Sequence, residues 1–221
     1  MRWSALYNNA APNAGIWPFV TLGSGGGIYA TDTRLALSGV SLFSNRATEM
    51  GGAIYVGSSA STAPSSSASL DNVTASSNSA RRGGGIFAHT VPTTLRNDTV
   101  ASNSSTLGGG IYWLSIAPRA YNTSVAYNSG QDCSAFVTSG AHNNDTDKTC
   151  GFFAAGDLPG VDPFLGPLTY LGAALPNWVQ QLAAGSPLQD AGDAATCLAT
   201  DEVGQLRPIG PACDIGAYEQ P

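Results

Sequence analysis

The chain has 221 residues, a formal net charge of −6 and only 11% charged residues, against about a quarter in ordinary globular proteins. A negative balance with a single lysine, Lys148, excludes nucleic acid and anionic membrane surfaces as partners, and no apolar run of about 20 residues is present to span a bilayer. The length suits one domain or one short solenoid.

Residues 1–24 read as a partial coil or N-terminal cap. Asn8 and Asn9 match the asparagine turns of the units that follow, and Trp17-Pro18-Phe19 has the bulk to cover an open core end, where a bare strand edge invites aggregation. One phrase then organises residues 25–132. It reads Gly25-Gly26-Gly27-Ile28-Tyr29, Gly51-Gly52-Ala53-Ile54-Tyr55, Gly83-Gly84-Gly85-Ile86-Phe87 and Gly108-Gly109-Gly110-Ile111-Tyr112. Each unit closes on an asparagine (Asn45, Asn78, Asn103, Asn128), and these are spaced by 33, 25 and 25 residues. Such a period marks stacked repeats. Ser58–Ser69 enlarges the second unit and reads as a flexible projecting loop.

Aligned on the asparagines, Leu42, Ala75, Val100 and Val125 stand three residues earlier, and Gly39, Asn72, Asn97 and Asn122 six residues earlier. Small or apolar residues alternate with Ser, Thr and Asn, the period-two pattern of half-buried strands. A unit of about 25 residues cannot bury its own apolar face, but stacked units can, with equivalent strands about 4.8 Å apart in parallel sheets. The glycine pairs fit turns of positive φ where backbones crowd, and asparagine both tolerates left-handed backbone and bonds along a ladder of like neighbours. Ile28, Ile54, Ile86 and Ile111 then form one interior row. Leucine-rich repeats need more leucines per unit, and a propeller blade needs about 40 residues. The expected fold is therefore an all-β parallel β-helix.

From Cys133 onward, residues 133–221 read as irregular coils and a disulfide-pinned C-terminal cap of the same solenoid. Trp178–Leu182 is expected as one short turn of helix. The acids concentrate here: residues 111–221 hold eleven acids and three bases, whereas residues 1–110 hold six arginines and four acids. All four cysteines lie here, and spacing favours the local pairs Cys133–Cys150 and Cys197–Cys213 among three connectivities. Disulfides imply an oxidising compartment, yet Met1–Pro18 lacks the apolar run of a secretory signal, so the export signal is expected outside this chain.

The Gly-Gly-Ala-Ile phrase with its apolar-x-x-Asn partner resembles the repeats of polymorphic outer-membrane proteins. Asp162-Pro163-Phe164-Leu165-Gly166-Pro167-Leu168, Ser186-Pro187-Leu188-Gln189-Asp190-Ala191-Gly192, Arg207-Pro208 and Cys213-Asp214-Ile215-Gly216-Ala217-Tyr218-Glu219 are similar to the choice-of-anchor Q region of bacterial surface β-helix proteins. The resemblance implies a right-handed β-helix exposed outside a bacterial cell, and brings no catalytic residue with it.

Three constellations carry chemistry. Tyr29, Tyr55, Phe87 and Tyr112 share one repeat position on the outer face, where an aromatic column either binds a ligand such as a sugar ring or simply protects the sheet. His89, with Asp32 and Arg34 on nearby segments, offers a general base beside a cation. Asp145 and Asp147 alternate as calcium ligands do, without the glycine and distal Glu of an EF-hand loop. No other cofactor is implied. Asp190 with Asp193, and Asp201 with Glu202, are carboxylates close in sequence, as glycoside hydrolysis needs in space. The functional expectation is a non-enzymatic exported surface protein, adhesin- or passenger-like, presenting a binding face to polysaccharide or another cell-surface protein. The alternative is a polysaccharide lyase or glycoside hydrolase with its site near His89.

Overall fold

The computed structural model describes residues 1–13, 23–59, 66–171 and 177–221. In chain order, β1 (Arg2–Tyr7) and β2 (Ala10–Ala11) precede a first repeat of β3 (Ile28–Thr31), β4 (Arg34–Phe43) and β5 (Arg46–Ala47). The second repeat holds β6 (Ile54–Gly57) and β7 (Ser67–Ser76), and the third β8 (Ile86–His89), β9 (Thr93–Arg96) and β10 (Thr99–Ala101). The fourth holds β11 (Ile111–Leu114), β12 (Arg119–Tyr121) and β13 (Ser124–Ala126). Beyond it lie β14 (Thr138–Ala141), β15 (Asn144–Asp145), β16 (Leu158–Pro159), and then β17 (Leu165–Tyr170) with β18 (Trp178–Leu182). The described residues contain no helix, and Trp17-Pro18-Phe19 and half of the serine-rich loop (residues 60–65) fall outside them.

Each repeat pairs with the next in parallel. β3, β6, β8 and β11 form one sheet in which Ile28, Ile54, Ile86 and Ile111 are direct partners. The last three are at most 1% exposed and Ile28 packs on the same core from the end of the row. Each buried isoleucine contributes about 1.5–3 kcal/mol by leaving water. A ten-stranded sheet carries the other faces: β14, β12, β9 and β7 run on one flank, β10, β13, β15 and β16 on the next, with β4 on β7 and β1 on β4. β4 and β7 pass through the corner unbroken. Gly39, Asn72, Asn97 and Asn122 mark that corner with φ of 62°, 53°, 50° and 47°. Glycine and asparagine are the residues that adopt this left-handed backbone at least cost.

The two glycines of the repeated phrase serve different ends. Gly51 takes φ of 66° to turn the chain. Gly52 has no room for a side chain, because a Cβ there would collide with the carbonyl of Gly84 in the next repeat.

The closing asparagines form a ladder, but not by adopting left-handed backbone themselves. The positive φ falls one residue earlier, at Ser44, Ser77, Ser102 and Tyr127. Each asparagine then points inward and donates its amide to the next: Asn9 to Asn45 at 2.9 Å, then Asn45 to Asn78, Asn78 to Asn103 and Asn103 to Asn128 at 3.0 Å. Asn128 donates to the Asp132 carboxylate at 2.9 Å, which accepts and cannot pass the chain on.

Residues 177–221 lie along the flank of the stack. The outward hydroxyls of Ser41 and Thr74 both donate to Glu202, and Thr99 accepts from the Ala217 amide at 3.0 Å. The corner asparagines bind this tail too: Asn72 donates to the Thr200 carbonyl at 2.7 Å, and Asn122 accepts from the Asp193 amide at 2.7 Å. Trp178–Leu182 is not the expected turn of helix. It is a strand, antiparallel to β17, with Trp178 set against the Phe43 ring at 5.1 Å. A partner strand supplies hydrogen bonds along its whole length, which outweighs a weak local preference. Cys133 joins Cys150, and Cys197 joins Cys213.

Candidate functional site

The aromatic position forms a continuous stack. Strand alternation turns these rings outward from the isoleucine row, and in-register pairing brings Tyr29 onto Tyr55 at 4.8 Å, Tyr55 onto Phe87 at 5.5 Å and Phe87 onto Tyr112 at 5.1 Å, all within 10° of coplanar stacking. Rings so placed cover one another. Phe87 is 1% exposed, Tyr55 and Tyr112 are half-buried, and Tyr29 at the end of the stack is 58% exposed. The column is thus mainly a sheet-protecting ladder, with one ring open to solvent.

His89 ends β8, and its lateral neighbours are Gly57 and Leu114. Thr31 pairs with Gly57, so Asp32 begins two strands away from His89. Asp32 is occupied: it accepts from the Ser59 hydroxyl at 2.6 Å, the Ser59 amide at 3.0 Å and the Ser58 hydroxyl at 2.9 Å, and these bonds hold its carboxyl below the usual range. Arg34 pairs with Ser67 on the ten-stranded sheet, which is a different sheet from His89. His89 is thus on a different strand from the one that Asp32 follows and on a different sheet from the strand that Arg34 begins.

Asp145 and Asp147 are turn-capping groups. Asp145 is fully buried and accepts the Cys150 amide at 3.0 Å, and burial pushes its carboxyl up to about 6. Asp147 divides its oxygens between the Asp132 amide and Thr149. Among the described residues no group of three or more His, Cys, Asp or Glu side chains is placed to hold a metal ion. Asp201 accepts from the amides of Val203, Gln205 and Glu219, and Glu202 is buried where the tail meets Ser41 and Thr74 of the stack, so neither faces a cleft as a hydrolytic acid would.

A concave polar site does exist where individual residue spacing gave no warning. A cleft of about 550 Å³ lies on the outer flank of β7, β9 and β12. Its floor comes from Ser69, Thr94, Arg96 and Tyr121, and its wall from Thr196 and Cys197 of the tail. Pairing sets Ser69, Thr94 and Arg119 in one row, and Asp71, Arg96 and Tyr121 in the next. Arg96 grips Asp71 through Nε and Nη2, both at 2.8 Å, and Arg119 donates to the Tyr121 hydroxyl at 3.2 Å. Strand alternation at Ser69, Thr94 and Tyr121 was the available signal, but the wall is more than seventy residues further along the chain than Tyr121.

The chain matches no protein-family model, no curated protein and no solved structure.

Proposed function

We propose that this chain is an exported surface protein built as a right-handed parallel β-helix, non-enzymatic, whose outer sheet face binds polysaccharide. The observation that carries the reading is the in-register pairing of repeats. It arranges outward side chains in columns, which present a repeated surface to an extended partner. The two disulfides suit an oxidising compartment outside the cytosol. The resemblance to polymorphic outer-membrane repeats and a choice-of-anchor tail agrees with cell-surface display. The lyase or hydrolase alternative has less support, since His89 is two strands away from Asp32 and Asp32 is engaged by serines.

The test is retention of the purified chain on a panel of insoluble polysaccharides, with the soluble phase assayed for released sugar. Retention without release is expected. Steady product release would replace the binding reading with the enzymatic one, and absence of retention on every polymer would remove the polysaccharide partner.

A further inference from the structure

We infer that the cleft between β7, β9 and β12 and the tail at Thr196–Cys197 is a binding site for a neutral saccharide bearing adjacent hydroxyls. The inference rests on the polysaccharide-binding reading above and names its site and ligand class.

Arg96 uses Nε and Nη2 on the two oxygens of Asp71, which fixes guanidinium and carboxylate edge to edge. Their side chains remain 39% and 21% exposed, so the pair is partly open to solvent, with guanidinium N–H groups beyond the two spent on Asp71 and carboxylate lone pairs close together. Two neighbouring hydroxyls of a sugar, each both donor and acceptor, complement such a pair. Ser69, Thr94 and Thr196 add hydroxyls around it.

Tyr121 lies against Gly140 of β14, closely enough that any Cβ at that position would run into the ring. Its hydroxyl is steadied by Arg119 at 3.2 Å. A tyrosine seated on bare backbone at the floor of a cleft is a preset stacking surface for a pyranose face.

Charge decides the class of saccharide. Arg96 is the charged residue of the cleft lining, and it is neutralised by Asp71. With that pair balanced, the site has no net attraction for a uronate or sulfate chain. A cleft of about 550 Å³ falls within the roughly 300–1,000 Å³ of ligand pockets.

The experiment is titration calorimetry of the full chain with neutral gluco-, xylo- and manno-oligosaccharides and, as the acidic arm, oligogalacturonate. Binding of at least one neutral series is expected, with Tyr121→Ala and Gly140→Ala each weakening it about tenfold, equivalent to about 1.4 kcal/mol. Tyr121→Phe keeps the ring and is expected to bind within about twofold of the parent, a factor worth under 0.5 kcal/mol. Circular dichroism and melting confirm that each variant is folded. Unchanged affinity in folded Tyr121→Ala and Arg96→Gln would overturn the cleft while leaving the polysaccharide reading intact. Tighter binding of oligogalacturonate would overturn the neutral class. Failure of the parent to bind any arm, despite retention on insoluble polymer, would place the contact elsewhere on the surface. Failure of both would sink the two readings together.

Discussion

Between Asn45 and Asn128 the repeat stack buries mainly amides, with Asp98 as the buried acid among them, whereas between Asp201 and Glu219 the tail buries several carboxyl groups and a guanidinium. The difference follows from repetition. An asparagine side chain holds donor and acceptor together, so one residue type can satisfy itself from repeat to repeat without adding charge. The tail has no such periodicity, and its turns leave backbone amides in scattered directions. A carboxylate accepts several of these at once: Glu219 takes the amides of Ile209 and Asp214, each at 3.0 Å, and its charge is balanced by Arg207 at 3.1 Å. Arg207 also donates to the carbonyls of Asp214 and Gly216, and both ion-pair side chains are at most 1% exposed. The regular stack thus solves burial mainly with neutral amides, and the irregular tail adds a buried ion pair.

The largest expected effect breaks the charged side of this contrast. Arg207→Ala leaves Glu219 buried without its cation and should cost about 3–5 kcal/mol in urea unfolding. A loss under about 1 kcal/mol would mean that water reaches the site and that the knot is not sealed. On the amide side, Asn78→Ala removes the acceptor for both the backbone and side-chain nitrogens of Asn45 and the donor to the Leu42 carbonyl. We expect a loss of about 2–4 kcal/mol, because stranded buried groups cost roughly 1–3 kcal/mol each.

A subtler effect uses pH. Burial pushes the Glu202 carboxyl up to about 8 from an ordinary 4.5, and Asp214 up to about 6 from 3.8. In both cases the folded chain keeps a proton that the unfolded chain releases, so stability is fullest below the unfolded values and falls as pH rises through the folded ones. The melting temperature should therefore decline from about pH 5 to about pH 8.5, and Glu202→Gln should flatten the upper part of that decline. A parent profile that rises over this interval would show that Glu202 is ionised and paired in the folded chain. The smallest expected effect is Tyr29→Ala, which removes the exposed end ring of the aromatic ladder and should cost about 0.2–1 kcal/mol by thermal unfolding.

Local signals carried much of the fold. The period, the isoleucine row and the asparagine ladder were legible because each repeat meets a near copy of itself, so spacing along the chain becomes proximity across the stack. Even there, the left-handed residue proved to be the one before each closing asparagine, since the side chain must point inward to meet its neighbour. Strand alternation turns the aromatic column outward, but Phe87 is covered by the rings on either side, and alternation alone carries no information on that mutual shielding. The strand at Trp178–Leu182 looked helical because its partner, β17, is invisible to a local pattern.

By itself the sequence determined the all-β class, the parallel stacking of glycine-marked units and the interior isoleucine file, because periodic chemistry needs only a constant offset to find its equivalent. Tertiary structure alone decided that the tail lies along the flank, that Glu202 is buried against Ser41 and Thr74, and that Arg96 and Tyr121 share a cleft with Thr196. Those contacts join segments with no repeated offset between them, and only the folded chain brings them within hydrogen-bonding reach.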